Sequence, residues 1–492
     1  MDIAIVGGGA AAVGMLDALA AAAERPGSIT VFEPSPHRWR GRPYGPDLDA
    51  VLVNSPPALM SIRHTDFGHY AAWLGALGAA HLDELLGQPL VPRSLYGQYL
   101  VDTAEAALDV LRRQGWNVCV VAARVTEVAR SGARLTIRTD DGRAFDTGHV
   151  ALCVGAGAPR DHYGLSGASG FVEDPYPLER TLDRVPSGSD VAVIGSGLTA
   201  VDIAVSLAAR GHAGHITLLS RTGTLPYVWQ RPIDLRPRHL TAERVAALHR
   251  ASGAASLDDL MGLLRAELAE AGENFAAFAA DLFAAGTEEP VQRLRSQLAA
   301  IADPKIGRRV LQTAAHSVGP LAWRLLPESD RDRLREHLRA ATSVASPMVP
   351  VNASIMLRLF DSGQLTVASG ISGIEPVDGR FRVRCDNGEH LADVVVNAVN
   401  PQPRAIPRGA ARLVESSLAE GLAANHPAGG LVPADPRLHV VGDLAGGGSF
   451  ITSSIPGIAA QAAQAVQALI AEPRALPFVT GAVSRSRSDG PR

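Results

Sequence analysis

Two apolar runs break into glycine in the same way, about 190 residues apart. Ile3-Ala4-Ile5-Val6 meets Gly7-Gly8-Gly9-Ala10-Ala11-Ala12, and Ile29 to Phe32 follows, ending at Glu33. Val191-Ala192-Val193-Ile194 meets Gly195-Ser196-Gly197-Leu198-Thr199-Ala200, and Ile216 to Leu219 follows, ending at Ser220 and Arg221. Unbroken apolar runs of four or five residues predict buried strands, and the stretches between them predict helices. Each unit therefore reads as strand, G-x-G-x-x-A turn, helix and second strand, the dinucleotide fingerprint in its βαβ context. Further on, 124–127 and 135–138 predict strands around Ser131-Gly132, and Val150 to Gly157, with Gly155, leads out of the first sheet. From about 240 to 342 the apolar period becomes helical, as in Leu260 to Leu268. Leu438-His439-Val440-Val441-Gly442-Asp443 is a late strand ending in Gly-Asp, and Ser454-Ile455-Pro456-Gly457 precedes a long Ala/Gln helix expected to begin near Ala459.

The turns carry the candidate chemistry. The first glycine of each permits a tight bend, and the second, Gly9 or Gly197, lets the backbone approach a pyrophosphate. The helix start then offers unpaired N–H groups and positive dipole potential to that anion. Glu33 stands where a carboxylate accepts from a ribose 2′-OH, as in FAD or NAD sites. Ser220 and Arg221 stand at the matching place in the second unit, where a hydroxyl and a guanidinium suit the 2′-phosphate of NADPH. A solvated loop arginine is the plainer alternative for Arg221. Asn54, between an apolar strand and Pro56-Pro57, is either an amide donor beside the flavin or the start of an Asx turn. Tyr44 is expected to pack. Trp229 and Arg231 either face a substrate or anchor a loop, the second being favoured.

Those motifs resemble the bacterial FAD/NAD(P)-binding flavoproteins related to class B flavin monooxygenases and amine N-hydroxylases. Gly41 to Gly45, Val53 to Ser61 and Val91 to Leu100 are similar to blocks of that group, and the likeness spans most of 1–230 and 385–470. It implies two Rossmann-like domains, for FAD and NADPH, the second inserted in the first. It also implies that Asp443 takes a flavin-side hydroxyl and that the helix after Ile455 aims at the flavin, although Asp443 could instead simply form a turn. The implied reaction is oxygen transfer from a C4a-(hydro)peroxyflavin to a small molecule, with an amine (N-hydroxylation) as one candidate, and molecular oxygen as co-substrate. Asn400 replaces the usual glycine of the block ending at Pro401, and no His/Arg cluster occurs at 346–350, so the substrate is expected to differ from that of its relatives. An NADPH dehydrogenase of an organic acceptor and a non-catalytic redox-sensing flavoprotein stay open as alternatives.

Composition narrows this further. The chain has 492 residues, 46% hydrophobic, with net charge −4 and acids and bases interspersed, which favours neither nucleic acid nor an anionic membrane as partner. The opening run carries Asp2 and forms the first strand, so it is not expected to be a signal, and a cytoplasmic protein is expected. Three cysteines, Cys119, Cys153 and Cys385, make no C-x-x-C, which excludes the dithiol route of disulfide reductases. All three are expected to be buried, and no metal is expected. The layout expected is a first FAD segment at 1–160, an NADPH domain at 161–345 with its helical insert, a second FAD segment at 346–472 and a disordered tail at 473–492. The aromatics between 35 and 100 are expected to wrap the flavin, and the insert to form a substrate lid or an oligomer face.

Overall fold

The computed structural model describes residues 1–471 except 23–24, 285–287, 387, 449 and 453; the expected tail lies outside the described residues. Two five-stranded parallel sheets organise the chain. In the first, the strand Asp2–Val6 sits centrally between Ser28–Phe32 and His149–Leu152, with Asn117–Val121 and Leu438–Val440 at the edges. In the second, Val191–Ile194 is central between Ile216–Leu219 and Val394–Asn397, with Leu365–Ala368 and Phe171–Val172 at the edges. Helices cover one face of each and mainly a small antiparallel sheet the other, so the strands are buried on both sides, which explains why they read as continuous apolar runs rather than alternating ones.

The repetition goes further than the fingerprints. In the first unit an antiparallel three-stranded sheet at Val125–Ser131, Arg134–Thr139 and Ala144–Thr147 separates the third parallel strand from the fourth. In the second unit Gly373–Val377, Arg380–Cys385 and Gly388–Ala392 stand in the same place. The strands Leu365–Ala368 and Val394–Asn397 therefore belong to the second sheet. The boundary expected at 345/346 moves to about 400, and the first unit resumes with the helix Ala411–Ala419, which packs on Val125–Ser131, then the strand Leu438–Val440 and the helix Ile455–Ala471. That helix packs on Ala10–Ala22 closely enough that a Cβ at Gly14 would stand 3.1 Å from the Ala462 methyl. It begins at Ile455, four residues before the expected start.

Eight helices from Ala242–Ser252 to Leu338–Ala345 fill the predicted insert among the described residues. The second is capped at Ser256 by a reciprocal box with Asp259, which satisfies two otherwise free backbone donors. His316 in the insert reaches back to the first unit, its Nδ1 lying 3.1 Å from Ser454 Oγ while Nε2 donates to the Ala345 carbonyl. No helix among the described residues is long and apolar enough to cross a membrane.

Candidate dinucleotide sites

The first turn is shaped by close approaches that only glycine allows. Gly7 has φ +105°, and a Cβ there would stand 2.3 Å from the Cys153 carbonyl oxygen, where two neighbouring strands end together. The Gly8 N–H donates to Glu33 Oε2 at 2.6 Å, and Ser35 N–H donates to Oε1 at 2.8 Å. The sheet thus holds Glu33 directly over the turn. Gly9 faces Gly41, a Cβ on Gly9 lying 3.4 Å from the Gly41 Cα, so two bare backbones form a cradle. No acidic residue occupies the first turn of the helix Ala10–Ala22, leaving its N-terminal potential to Ala10, Ala11 and the turn.

The closing elements converge on the same end of the sheet. Gly155 has φ +74° with open space where a Cβ would go, and Gly442 has φ +96° and donates its N–H to Gln461 Oε1 at 2.8 Å. Burial pushes the Asp443 carboxyl up, while hydrogen bonds from Thr452 and the Arg404 backbone N–H pull it back down. Arg404 was not singled out from the sequence. Its guanidinium donates to the Ala445 and Gly448 carbonyls and fixes the loop after Asp443. Ile455 is buried at the start of its helix, whose first turn is also free of acids.

Asn54 is held by its backbone: Trp229 Nε1 donates to the Asn54 carbonyl at 2.8 Å. Its side-chain Oδ1 is buried and has no hydrogen-bond partner, so the Asx turn does not form. Pro56, two residues on, has no N–H to offer it. Trp229 is the loop anchor, and so is Arg231, whose guanidinium donates to the Leu85 and Glu84 carbonyls.

The aromatics depart from expectation. Tyr70, Tyr96 and Tyr99 are fully buried and pack edge-on or tilted against one another, with centroids 4.8 to 5.4 Å apart, while Phe67 is exposed. They are a core under the helix Arg93–Arg113 rather than a flavin wrap. Tyr44 packs on Tyr96 at 4.6 Å, and burial pushes its phenol up to about 12.

The second turn repeats the geometry. Gly195 has φ +121°, a Cβ there would be 3.1 Å from the Ala398 carbonyl oxygen, and Gly197 opens onto free space. Leu198 starts the helix, again without an acid in the first turn, and Thr199 Oγ1 donates to Asn400 Oδ1 at 3.0 Å. The residue that departs from the familiar block is therefore a neighbour of the second turn.

Ser220 corrects the sequence reading. It is buried, and its Oγ accepts from the Gly223 N–H at 2.6 Å, so it shapes its own turn instead of facing a ligand. Arg221 is exposed, and its guanidinium makes no hydrogen bond or ion pair among the described residues. The cysteines also differ: Cys153 is buried, with its thiol pushed up to about 12 by burial, whereas Cys119 is exposed and Cys385 is half-buried.

The geometry matches what comparison with known proteins finds. Residues 4–157 match a family described as FAD-NAD(P)-binding. The whole chain has the fold of an L-lysine 6-monooxygenase from Pseudomonas syringae, with TM-score 0.56 and 17% identity over 95% of this chain and 99% of that one. A cadaverine monooxygenase from Erwinia amylovora with FAD bound gives 0.55 and 13% over 99% of each. An ornithine N-hydroxylase from Kutzneria sp. 744 gives 0.52 and 15% over 95% and 98%. A phosphoheptose isomerase from Roseiflexus sp. is 27% identical over 179 residues, 32% of this chain and 89% of that protein, a partial likeness that assigns no activity. Residues 4–157 are thus an FAD-NAD(P)-binding domain, set in a chain with the fold of flavin-dependent monooxygenases.

Proposed function

We propose that the protein is an FAD-containing, NADPH-using monooxygenase of a small nucleophilic molecule, with an amine as the first candidate. The observation that supports this best is the pair of open phosphate turns, both built in one chain that shares its fold with three amine-hydroxylating or amine-oxygenating enzymes. The residues present fit the two cofactors. The Gly9–Gly41 cradle and the Glu33 carboxylate suit the adenosine diphosphate half of FAD, and the unpartnered Asn54 Oδ1 suits a donor on the flavin side. Bound FAD would accept hydride from NADPH and react with molecular oxygen.

The chain's own share is positioning and exclusion of water. Gly442 and Asp443 offer a hydrogen-bonding edge, Asp443 being held by Arg404 and Thr452. Trp229 fixes the Asn54 backbone so that its amide keeps one place, which makes Asn54 the candidate catalytic residue. Arg221, free of protein partners, would hold the 2′-phosphate of NADPH; Ser220 contributes the turn that presents it.

Rapid mixing tests the reaction. After anaerobic reduction by NADPH, oxygen should produce a transient absorbance unlike that of reduced or oxidised flavin. Nucleophilic amines should shorten its lifetime. Immediate return to oxidised flavin with stoichiometric peroxide, whatever amine is present, would instead favour the dehydrogenase reading. Coenzyme choice tests the second site. A charge-assisted phosphate contact contributes about 1.5–3 kcal/mol, so Arg221→Ala should raise the KM for NADPH roughly ten- to a hundred-fold and leave that for NADH almost unchanged. An unaltered preference would place the 2′-phosphate elsewhere.

A further inference from the structure

A cleft of about 1020 Å³ lies between the helical insert and the outer face of the helix Ile455–Ala471. Neither glycine turn nor Asn54 lines it, and it meets the first dinucleotide site only at the loop Gly446 to Gly448 and the start of the helix Ile455–Ala471. Apolar walls come from Leu240, Leu321 and Pro456, and its size suits a metabolite rather than a macromolecule. With Asp17 counted, the charged groups sum to zero, but Glu243 and Arg324 do not pair with each other. Arg63 is neutralised by Asp17 at 2.9 Å, and Glu243 is the one carboxylate on the wall. Arg324, at the end of the helix Gly319–Leu325, has no hydrogen bond or ion pair for its guanidinium among the described residues. Burial, and after it the Arg324 charge, holds the neighbouring His64 below its ordinary range, as expected beside a cation lacking a counter-ion.

A second polar side chain lines the same space. His439, on the edge strand Leu438–Val440, lines the cleft, is only 8% exposed, and has a buried Nε2 without a partner. Burial pushes this imidazole down to about 4, so it is neutral and can donate or accept one hydrogen bond.

We propose that the cleft binds a small organic anion, a carboxylate or a phosphate ester, through the Arg324 guanidinium. Planar guanidinium donors match either group in a two-pronged contact, and the apolar walls cover the rest of the molecule. This inference goes beyond the oxidoreductase reading and does not depend on it.

Calorimetric titration of the FAD-loaded protein, saturated with NADP⁺ so that both phosphate turns are filled, tests it. Glutarate and inorganic phosphate serve as probes at low ionic strength. At least one should bind in the millimolar range or tighter, with Arg324→Gln weakening it by ~10-fold or more and His64→Gln by less. Tighter glutarate binding would identify a carboxylate ligand, and tighter phosphate binding a phosphate ester. Absence of heat with both probes, or equal affinity in Arg324→Gln, overturns the proposal. Since no turnover is measured, a failed oxygenation assay and a failed titration are distinguishable.

Discussion

Purified Gly9→Asp protein is expected to be folded and colourless, whereas the wild type should be yellow and release FAD rather than FMN on denaturation. The Gly9 backbone faces that of Gly41 across a gap in which a Cβ would already be 3.4 Å from the opposite Cα. Any side chain there narrows the cradle, and a carboxylate adds its charge to that of the diphosphate. Like charges brought together in a partly desolvated site cost several kcal/mol, or a loss on the order of a thousandfold in FAD affinity. Gly262→Asp is the matched control, since it puts the same carboxylate on an insert helix where nothing lies within 4 Å of the new Cβ. Far-UV circular dichroism separates loss of flavin from loss of fold. Normal FAD content in the Gly9 variant would mean that the diphosphate lies elsewhere.

Most of what forms these sites was legible because it is local. A glycine at φ +105° or +121° beside a four-residue apolar run is required by the turn itself, and Glu33 follows its strand by one residue. What failed was direction and long-range pairing. Nothing in Ser220-Arg221-Thr222-Gly223 distinguishes a hydroxyl facing a ligand from one closing its own turn, although a glycine three residues on is a hint of the second. The aromatics of 44–99 were expected around the flavin because they are abundant there; their spacing on one helix, Tyr96 and Tyr99, was the sign of a shared core. The boundary at 345 failed because parallel strands pair across long crossovers. The repeat that corrects it, strand, antiparallel sheet, strand, begins with ordinary short strands at Leu365–Ala368 and carries no glycine signature of its own. Arg404 escaped notice for a similar reason, since its role is seen only once the loop after Asp443 folds over it.

One interaction joins the two units in a way no motif announces, and its removal should be among the most damaging substitutions in the protein. Arg93, at the start of the helix Arg93–Arg113 in the first unit, donates from Nη2 to Asp202 Oδ2 at 2.6 Å on the fingerprint helix of the second. Its Nη1 donates to the Tyr176 hydroxyl at 3.1 Å and its Nε to the Leu52 carbonyl at 3.0 Å. The Arg93 and Asp202 side chains are 11% and 1% exposed, so the pair is nearly free of water. Burial pushes the Asp202 carboxyl up, and Arg93 pulls it back toward ionisation. Arg93→Met would leave a buried carboxylate without a counter-charge, the Tyr176 hydroxyl being its remaining partner, and removing one member of such a pair costs about 3–5 kcal/mol. Urea unfolding followed by circular dichroism should show a loss of that size, with Arg93→Met/Asp202→Leu recovering part of it because no charge is then stranded. The kinetic effect follows from geometry. Hydride transfer needs the two rings about 3–3.5 Å apart, and a misplacement of about 1 Å costs roughly a hundredfold. Anaerobic flavin reduction by saturating NADPH should therefore slow by about that factor in Arg93→Met. A single variant that loses less than about 1 kcal/mol, the range of an exposed pair, and reduces its flavin at the wild-type rate would show that this contact neither stabilises the protein nor sets the relation of one dinucleotide unit to the other.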